Sequence, residues 1–568
     1  MCGHCCGWGH PRSALSAAVT LLFLCFSIRA EVPTFDYLFP AGGQRGTTNS
    51  VVIGGKFDPW PPKVWVDCAE VRFEPQTNKG SFKVVIDPDT KPGAHLIRIF
   101  NEEGASSPRW FVVGTAREVS EVEPNDGRGK AQRVDGSTVT INGRLEKGGD
   151  IDSFAVQLEA GKWMIASMDA YAIGSPIDAS LTLFDEQGLR VAFNSDSVQS
   201  LDPLLACKVE KSGTYILQVN AFAHPPAADV RFAGSAAAVY RLNVTESAVA
   251  RFFFPVSVQQ GHDVKIKIAG WNLDPSSSAV TWKIHSDEAG GARFVSVPFG
   301  EGKLRLTIND LPHEGEQEPN NSNGDAQALD WPVTIDGCID PAGDQDRFRL
   351  SVKKNERIEF RLRSASLGLP LDAFLRIDDS SGKQVARDDD SGEASDPLIN
   401  WTASSNGTYF VVIGDLFHRG GPDYGYALEV RAPVADFKVT AESSAFRIGP
   451  GKTNEIKLAI SRTAAHTNKL TATASGLPDD VKVKTVKIGG KEKEAKLALI
   501  AAPDAKPFNG PVQIVVADLL HTNVQRNALF ELGPKESRSG EMLINATDQL
   551  WLTVTTNTPA STEKEKAK

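Results

Sequence analysis

The hexapeptide Glu121-Val122-Glu123-Pro124-Asn125-Asp126 returns as Glu316-Gln317-Glu318-Pro319-Asn320-Asn321, and the residues after each copy stay in step. Positions 123 and 318 are 195 apart, as are Ala131-Gln132 and Ala326-Gln327. One residue is then lost, and from Gly143 and Gly337 the offset holds at 194 without gaps. Along it Asp150, Asp152, Phe154, Gly174, Asp178 and Asp185 meet Asp344, Asp346, Phe348, Gly368, Asp372 and Asp379. Asp202-Pro203 and Gly213-Thr214-Tyr215 then meet Asp396-Pro397 and Gly407-Thr408-Tyr409. A register held over that length marks a duplicated structural unit, and duplicated units ordinarily serve modular binding rather than a single catalytic cavity.

The local signals are those of strands. Val51-Val52-Ile53, Phe82-Lys83-Val84-Val85-Ile86, Tyr215-Ile216-Leu217-Gln218-Val219 and Tyr409-Phe410-Val411-Val412-Ile413 are β-branched or aromatic and bounded by Gly, Pro, Asn or Asp. Turn signals every 8–12 residues or so, with no sustained helical period, predict an all-β chain of tandem sandwiches. A second repeat flanks the first. Phe39-Pro40, Gln44-Arg45-Gly46, Val51-Val52-Ile53 and Gly54-Gly55 recur at a constant spacing of 215 as Phe254-Pro255, Gln259-Gln260-Gly261, Ile266-Lys267-Ile268 and Ala269-Gly270. From about residue 434 a fifth unit begins, with Gly449-Pro450-Gly451 and Gly476-Leu477-Pro478 turns between strand-like segments. The predicted division is 1–30 signal peptide, 31–116 sandwich, 117–246 first repeat, 247–313 sandwich, 314–433 second repeat, 434–558 sandwich and 559–568 disordered tail.

A formal charge of −10 over 568 residues argues against a nucleic-acid partner, which selects a basic face. At the N-terminus, Arg12 precedes an apolar run from Ala14 to Phe26, and Ile28-Arg29-Ala30 reads as a cleavage site. The run is short for a membrane span, no later segment approaches one, and Phe23-Leu24 before Cys25 departs from a lipidation signal. The expectation is a secreted, periplasmic or cell-surface protein. Cys2, His4, Cys5, Cys6 and His10 fall in the segment to be removed, which leaves Cys68, Cys207 and Cys338. An odd count of three excludes a disulfide scaffold, although one bridge stays open. Cys207, matched by Trp401, reads as a core position.

The repeated unit resembles the bacterial pre-peptidase C-terminal (PPC) domain over roughly 118–245 and 314–432. The resemblance rests on the Glu-Pro-Asn start, a Gly, Asp-x-Asp followed by Phe, an acidic turn with Gly, and the Gly-Thr-Tyr strand. The flanking sandwiches resemble the opening of immunoglobulin-like IPT/TIG domains. The PPC resemblance implies a jelly-roll-like sandwich of the kind appended to secreted peptidases. It is similar to collagenase collagen-binding domains that hold calcium between the acidic start and a nearby acidic turn. The residues suit that role by themselves. Calcium takes six to eight oxygens from carboxylates, amides and carbonyls. Glu121, Glu123, Asn125 and Asp126 supply four such side chains in six residues, and alternate residues of an extended segment share a face. Asp150 and Asp152 alternate likewise ahead of Phe154. The second copy offers Glu316, Glu318, Asn320, Asn321, Asp344 and Asp346, with Asn321 in place of Asp126 and so one negative charge fewer. The alternative is that both clusters are solvated turn residues. A third acidic turn, Asn194 with Asp196 and its counterpart Asp388-Asp389-Asp390, lacks EF-hand spacing.

No Gly-x-Ser-x-Gly elbow, His-Glu-x-x-His helix or phosphate-cradling loop occurs, and the histidines stand without sequence neighbours suited to catalysis. PPC domains normally accompany a catalytic domain, and the units above leave no segment of peptidase size. The expected function is therefore non-enzymatic. Two modules would engage an extracellular polymer (polysaccharide or fibrous protein) or a cell-surface protein by bivalent binding. Alternatives are an accessory or chaperone-like subunit of a separate secreted peptidase, and a hydrolase with an unrecognised site. Trp60, Trp110, Trp163 and Trp271 offer rings for stacking on a ligand, or else pack in cores and turns.

Overall fold

The structure, a computed structural model, describes residues 31–556 apart from 198–199, 229–230, 275–278, 284–290, 297–302, 393–394 and 534–539. The predicted signal segment with its cysteines and histidines, and the charged tail, lie outside the described residues. Among these residues strands dominate and the few helices are single 3-10 turns. None is long and apolar enough to cross a membrane.

Strand follows from period two. In Thr453–Arg462 the side chains of Ile456, Leu458 and Ile460 are buried while Lys457, Ala459 and Ser461 are exposed. One face therefore meets a core and the other meets water. Pairs of such sheets make tandem β-sandwiches. The first pairs a sheet of Tyr37–Phe39, Thr48–Gly54, Ser81–Ile86 and Val71–Pro75 with one of Gly42–Gln44, Arg109–Gly114, Gly93–Asn101 and Lys63–Val66. The second sandwich, around Asp263–Trp271 and Lys303–Asn309, has two three-stranded sheets.

The repeats are ten-stranded and share one topology. In the first, one sheet runs Arg117–Ser120, Thr138–Arg144, Val239–Thr245, Trp163–Asp169, Leu204–Lys208. The other runs Gln132–Val134, Asp152–Leu158, Gly213–Ala223, Ile177–Phe184, Arg190–Asn194. The second repeat follows the same order, from His313–Gly315 to Leu398–Thr402 and from Gln327–Ala328 to Gln384–Asp388. Phe154, Leu181, Leu217 and Tyr240 fill the first core, and Phe348, Leu375, Val411 and Tyr426 fill the second, all fully buried. Each such side chain contributes about 1.5–3 kcal/mol by leaving water. Phe154 and Phe348 thus pin the strands that start at the repeated Asp-x-Asp.

Each repeat docks on the sandwich before it in part through a polar knot, and the two knots differ. In the first, Arg241 pairs with Glu118 at 2.8 Å and reaches Asn142 Oδ1 at 2.8 Å. Gly42 leaves room for it, since a Cβ there would lie 2.4 Å from Arg241 Nη1. In the second, Ser257 replaces Gly42, Asp336 replaces Asn142 and His313 replaces Glu118. Asp336 Oδ1 accepts from the amides of Val256 and Ser257 at 2.8 Å, and Ser257 Oγ lies 3.0 Å from His313 Nδ1.

The C-terminal sandwich folds back onto the first. Trp551 lies against Trp65 and Phe100 with ring centres 5.8 and 4.9 Å away. The buried Arg98 donates to Ser444 Oγ and the Gln549 carbonyl. All four tryptophans singled out above pack against other residues of the chain. Trp110 is buried and donates to the Ile544 carbonyl, Trp60 sits between Phe57 and Phe82, and Trp163 faces the ring of Trp271 across the next junction. Cys68, Cys207 and Cys338 are all free thiols, so the bridge left open by the sequence is not made. Cys207 is half-buried at the margin of its core.

Candidate metal centres

The start of each repeat is an edge segment held in an extended path by one glutamine. Gln132 Oε1 accepts from the amide of Val122, and its Nε2 donates to the Ser120 carbonyl. Gln327 makes the same pair of bonds to Gln317 and Gly315. The Glu121 amide donates to the Asn142 carbonyl, which aims its side chain at the start of the strand Asp152–Leu158. The Glu123–Pro124 and Glu318–Pro319 peptides are both cis.

This path brings Glu121, Glu123 and Asp152 together, with one oxygen of each within 4.8 Å of the others. Glu316, Glu318 and Asp346 form the same group in the second repeat. The outer oxygen of each carboxylate is anchored. Glu121 Oε1 accepts from the Arg144 amide, Glu123 Oε2 from the Asn125 amide and Asp152 Oδ2 from the Tyr240 hydroxyl. The inner oxygens have no donor. Glu121 Oε2, Glu123 Oε1, Asn125 Oδ1, Asp150 Oδ1 and Asp152 Oδ1 are all buried without a hydrogen-bond partner. In the second repeat Asn320 Oδ1, Asp344 Oδ2 and Asp346 Oδ1 are in that condition.

Buried polar atoms are nearly always paired, because leaving one unsatisfied costs about 1–3 kcal/mol and more for a charge. Two carboxylates about 4 Å apart repel by about 4 kcal/mol at an effective dielectric of 20. Three carboxylates grouped this closely, each with an orphaned oxygen, therefore fit a hard divalent cation, whose ligand requirement is oxygen alone. The electrostatics agree. Burial first, then the charge of Asp152, pushes Glu121 well above the usual carboxylate range. Burial raises Asp152 against the opposing hydrogen bond from Tyr240. Glu316 and Asp346 are raised for the same reasons, and burial lifts Asp150 and Asp344 too.

Asp126 and Asn321 stand apart from these groups. Asp126 lies 3.9 Å from Lys147 Nζ and beside Asp150, while Asn321 is exposed. The acidic turn further along is tied into the backbone instead. Asn194 Oδ1 accepts from the Leu204 amide, and Asp388 accepts from Ser391 and the Leu398 amide, which clasps two edge strands.

Sequence reasoning missed two features of the site. Gln132 and Gln327 were visible as repeated residues, but their clamp is a tertiary contact. Tyr240 and Tyr426 fall after the second copy has lost further residues, so the gapless alignment does not reach them. They explain the repeated glycine: a Cβ at Gly143 would lie 2.1 Å from Tyr240 Cζ, and one at Gly337 lies 2.3 Å from Tyr426 Cζ. Histidine partners were missed as well, since His95 meets Asp67 at 3.1 Å and the buried His466 meets Asp518 at 2.9 Å.

Residues 344–414 match the bacterial pre-peptidase C-terminal domain family, a span that includes Asp344, Asp346 and Gly407-Thr408-Tyr409. The chain carries a PPC domain. The first repeat has the same strand order and the same acidic group, and the two are called PPC modules 1 and 2 below. No curated protein matches the chain in sequence. Among solved structures, a candidate secreted protein of Eubacterium rectale is 12% identical over 30% of this chain, with a TM-score of 0.16; the chain spans 63% of its length. The Bacteroides ovatus mixed-linkage glucan utilisation protein SGBP-B is 9% identical, covering 66% of this chain and 74% of its own, with a TM-score of 0.13. The M60 catalytic domain with two CBM51 domains from Clostridium perfringens ZmpB is 9% identical, covering 72% and 55%, with a TM-score of 0.13. Similarity at that level carries no functional argument.

Proposed function

We propose that this chain is an exported, non-catalytic binding protein in which two calcium-stiffened PPC modules grip an extracellular polymer or a cell-surface partner. The observation that supports it is the duplicated set of buried, partnerless oxygens at the two module entrances. Glu121, Glu123, Asn125, Asp150 and Asp152 would hold one ion, and Glu316, Glu318, Asn320, Asp344 and Asp346 a second. Bound calcium would supply positive charge that lets the buried carboxylates ionise and locks the entrance segment against the next strand. Two modules on one chain raise avidity for a repeating partner without any new contact.

Titration calorimetry of the full chain with calcium tests the metal part: two equivalents should bind with release of protons, since raised carboxylates must deprotonate to ligate. No heat and no proton release would end it. A second reading, an accessory subunit of a separate secreted peptidase, is favoured by the PPC match itself. Recovery of a stoichiometric peptidase with the tagged chain from culture medium would select it over the first.

A further inference from the structure

The first and C-terminal sandwiches meet across a cleft of about 550 Å³. The first sandwich lines it with Asp67, Cys68 and Glu70, in the turn between Lys63–Val66 and Val71–Pro75, and with His95. The C-terminal sandwich contributes Asp548 and the half-buried apolar side chains of Leu529 and Ile544. The charges in this lining are of two kinds. Asp67 is committed within the first sandwich: Oδ1 lies 3.1 Å from His95 Nδ1, and Oδ2 accepts from the Leu96 amide at 2.9 Å. His95 Nε2 lies 3.0 Å from the Lys91 carbonyl. Both ring nitrogens thus face acceptors and both carry hydrogen. The bond to Asp67 raises the imidazole above its ordinary value, and the pair as a whole is neutral. Glu70 and Asp548 meet only neutral hydrogen-bond donors among the described residues. The Cys68 thiol lies 3.0 Å from Glu70 Oε2, and the Gln513 and Asn527 amides donate to Asp548 Oδ2 at 2.9 and 2.7 Å. The thiol bond holds Glu70 below the usual carboxylate range, while burial, then Glu70 itself, pushes Cys68 up and keeps it a donor.

We infer that this cleft is a binding site for a primary ammonium group on an aliphatic stem, the chemistry shared by a free alkyl diamine and a lysine side chain. Its position suits a ligand, since small-molecule sites favour domain interfaces. The walls are already fixed, because Arg98 donates to the Gln549 carbonyl and Trp65 stacks on Trp551 across the same junction. The uncompensated charge is negative and comes from both sandwiches. With Glu70 Oε2 and Asp548 Oδ2 occupied, each carboxylate has a single oxygen left, Oε1 and Oδ1. A guanidinium fork is matched by both oxygens of one carboxylate, whereas an ammonium sends three hydrogens in separate directions and can take one oxygen from each of two. Leu529 and Ile544 offer apolar surface to the stem, as folded chains do for their own lysines. The acidic module entrances are a different kind of site, with several carboxylates converging on one point for a bare ion.

Saturation-transfer NMR of the full chain, with calcium present, is the test, using cadaverine, Nα-acetyl-lysine amide, n-pentanol and glutarate as probes. Transfer to the two amines is expected, and none to the alcohol or the dianion. Glu70→Gln and Asp548→Asn should each weaken amine binding about three-fold, the scale of one exposed ion pair. Glu70 is exposed, so the thermal midpoint of Glu70→Gln should match the parent. Glu494→Gln, at an exposed acid of the C-terminal sandwich outside the cleft, should leave amine binding unchanged. Tighter binding of the lysine amide would support the site and assign it to a partner polypeptide; tighter binding of cadaverine would support it and assign it to free amines. No transfer to either amine, equal transfer to n-pentanol, or amine binding untouched by both cleft substitutions would overturn the assignment.

Discussion

PPC modules 1 and 2 agree at their acidic entrances and differ at their junctions and on one outer sheet. At the entrances, Glu121/Glu316, Glu123/Glu318, Asn125/Asn320 and Asp152/Asp346 keep even their anchoring bonds, within 0.1 Å in length. At the junctions, a buried Arg241–Glu118 pair in one copy becomes Ser257, His313 and Asp336 in the other. On the outer sheet, Phe193, Thr182 and Ser153 of module 1 correspond to Arg387, Arg376 and Arg347 of module 2. A site held by close-packed like charges tolerates little drift, because each oxygen must be matched by the same compensating group. Faces in water are free to diverge after duplication.

The largest expected difference lies at the junctions. Arg241→Ala strands the buried Glu118 carboxylate and should cost about 3–5 kcal/mol, read as a drop in denaturation midpoint. Ala427 already occupies the corresponding place in module 2, and replacing it by Gly should cost far less. If Arg241→Ala leaves the midpoint where it was, the two junctions do not differ in kind.

Calcium comes next. At a hundred times its dissociation constant, an ion bound only to the native state adds about 2.7 kcal/mol per site. Asp152→Asn and Asp346→Asn should each remove one site's share, and calorimetry with calcium and with chelator reads both. The dependence on pH differs between the two conditions. In chelator, Glu121, Asp152 and their counterparts have raised pKa values. The native state then holds more protons than the unfolded chain, and stability should fall as pH rises from about 5 to 8. In saturating calcium the carboxylates are ionised in the native and the unfolded chain alike, so stability should stay nearly flat over the same range. Parallel pH profiles in calcium and chelator would argue against any ion at the entrances.

Smaller again are Gly143→Ala and Gly337→Ala, which force a Cβ into Tyr240 and Tyr426 and should cost about 1–3 kcal/mol each. A Cβ at Gly337 would also lie 2.5 Å from Glu316 Oε2, so only Gly337→Ala should weaken calcium binding directly as well. The smallest effect is expected of Asn321→Asp. Residue 321 is exposed and outside the carboxylate group, so stability and calcium affinity should stay within about 0.5 kcal/mol of the parent, as for most surface changes. A tighter second site in this variant would restore the charge-count argument that the sequence suggested.

Much of this was legible before any coordinates. The β-branched and aromatic runs at Tyr215-Ile216-Leu217-Gln218-Val219 and Tyr409-Phe410-Val411-Val412-Ile413 foretold strands, and the fixed offset from Gly143 to Tyr215 foretold two copies of one sandwich. The acidic start and the Asp-x-Asp were visible as partners because both recurred. Asp126 sits in the hexapeptide but outside the three-carboxylate group, beside Asp150, because proximity in sequence does not fix where a side chain points after a turn. Tyr240 was hidden for the opposite reason: it closes the site from a strand nearly ninety positions beyond Asp152.

The chain's own order of residues determined the all-β class, the duplication and the oxygen-rich character of the two entrances, since periodicity and spacing are properties of the strand itself. Only the tertiary structure decided which oxygens are left without donors and which tryptophans are packed away. Those depend on what other segments cover, and burial, unlike periodicity, is set by contacts between residues hundreds of positions apart.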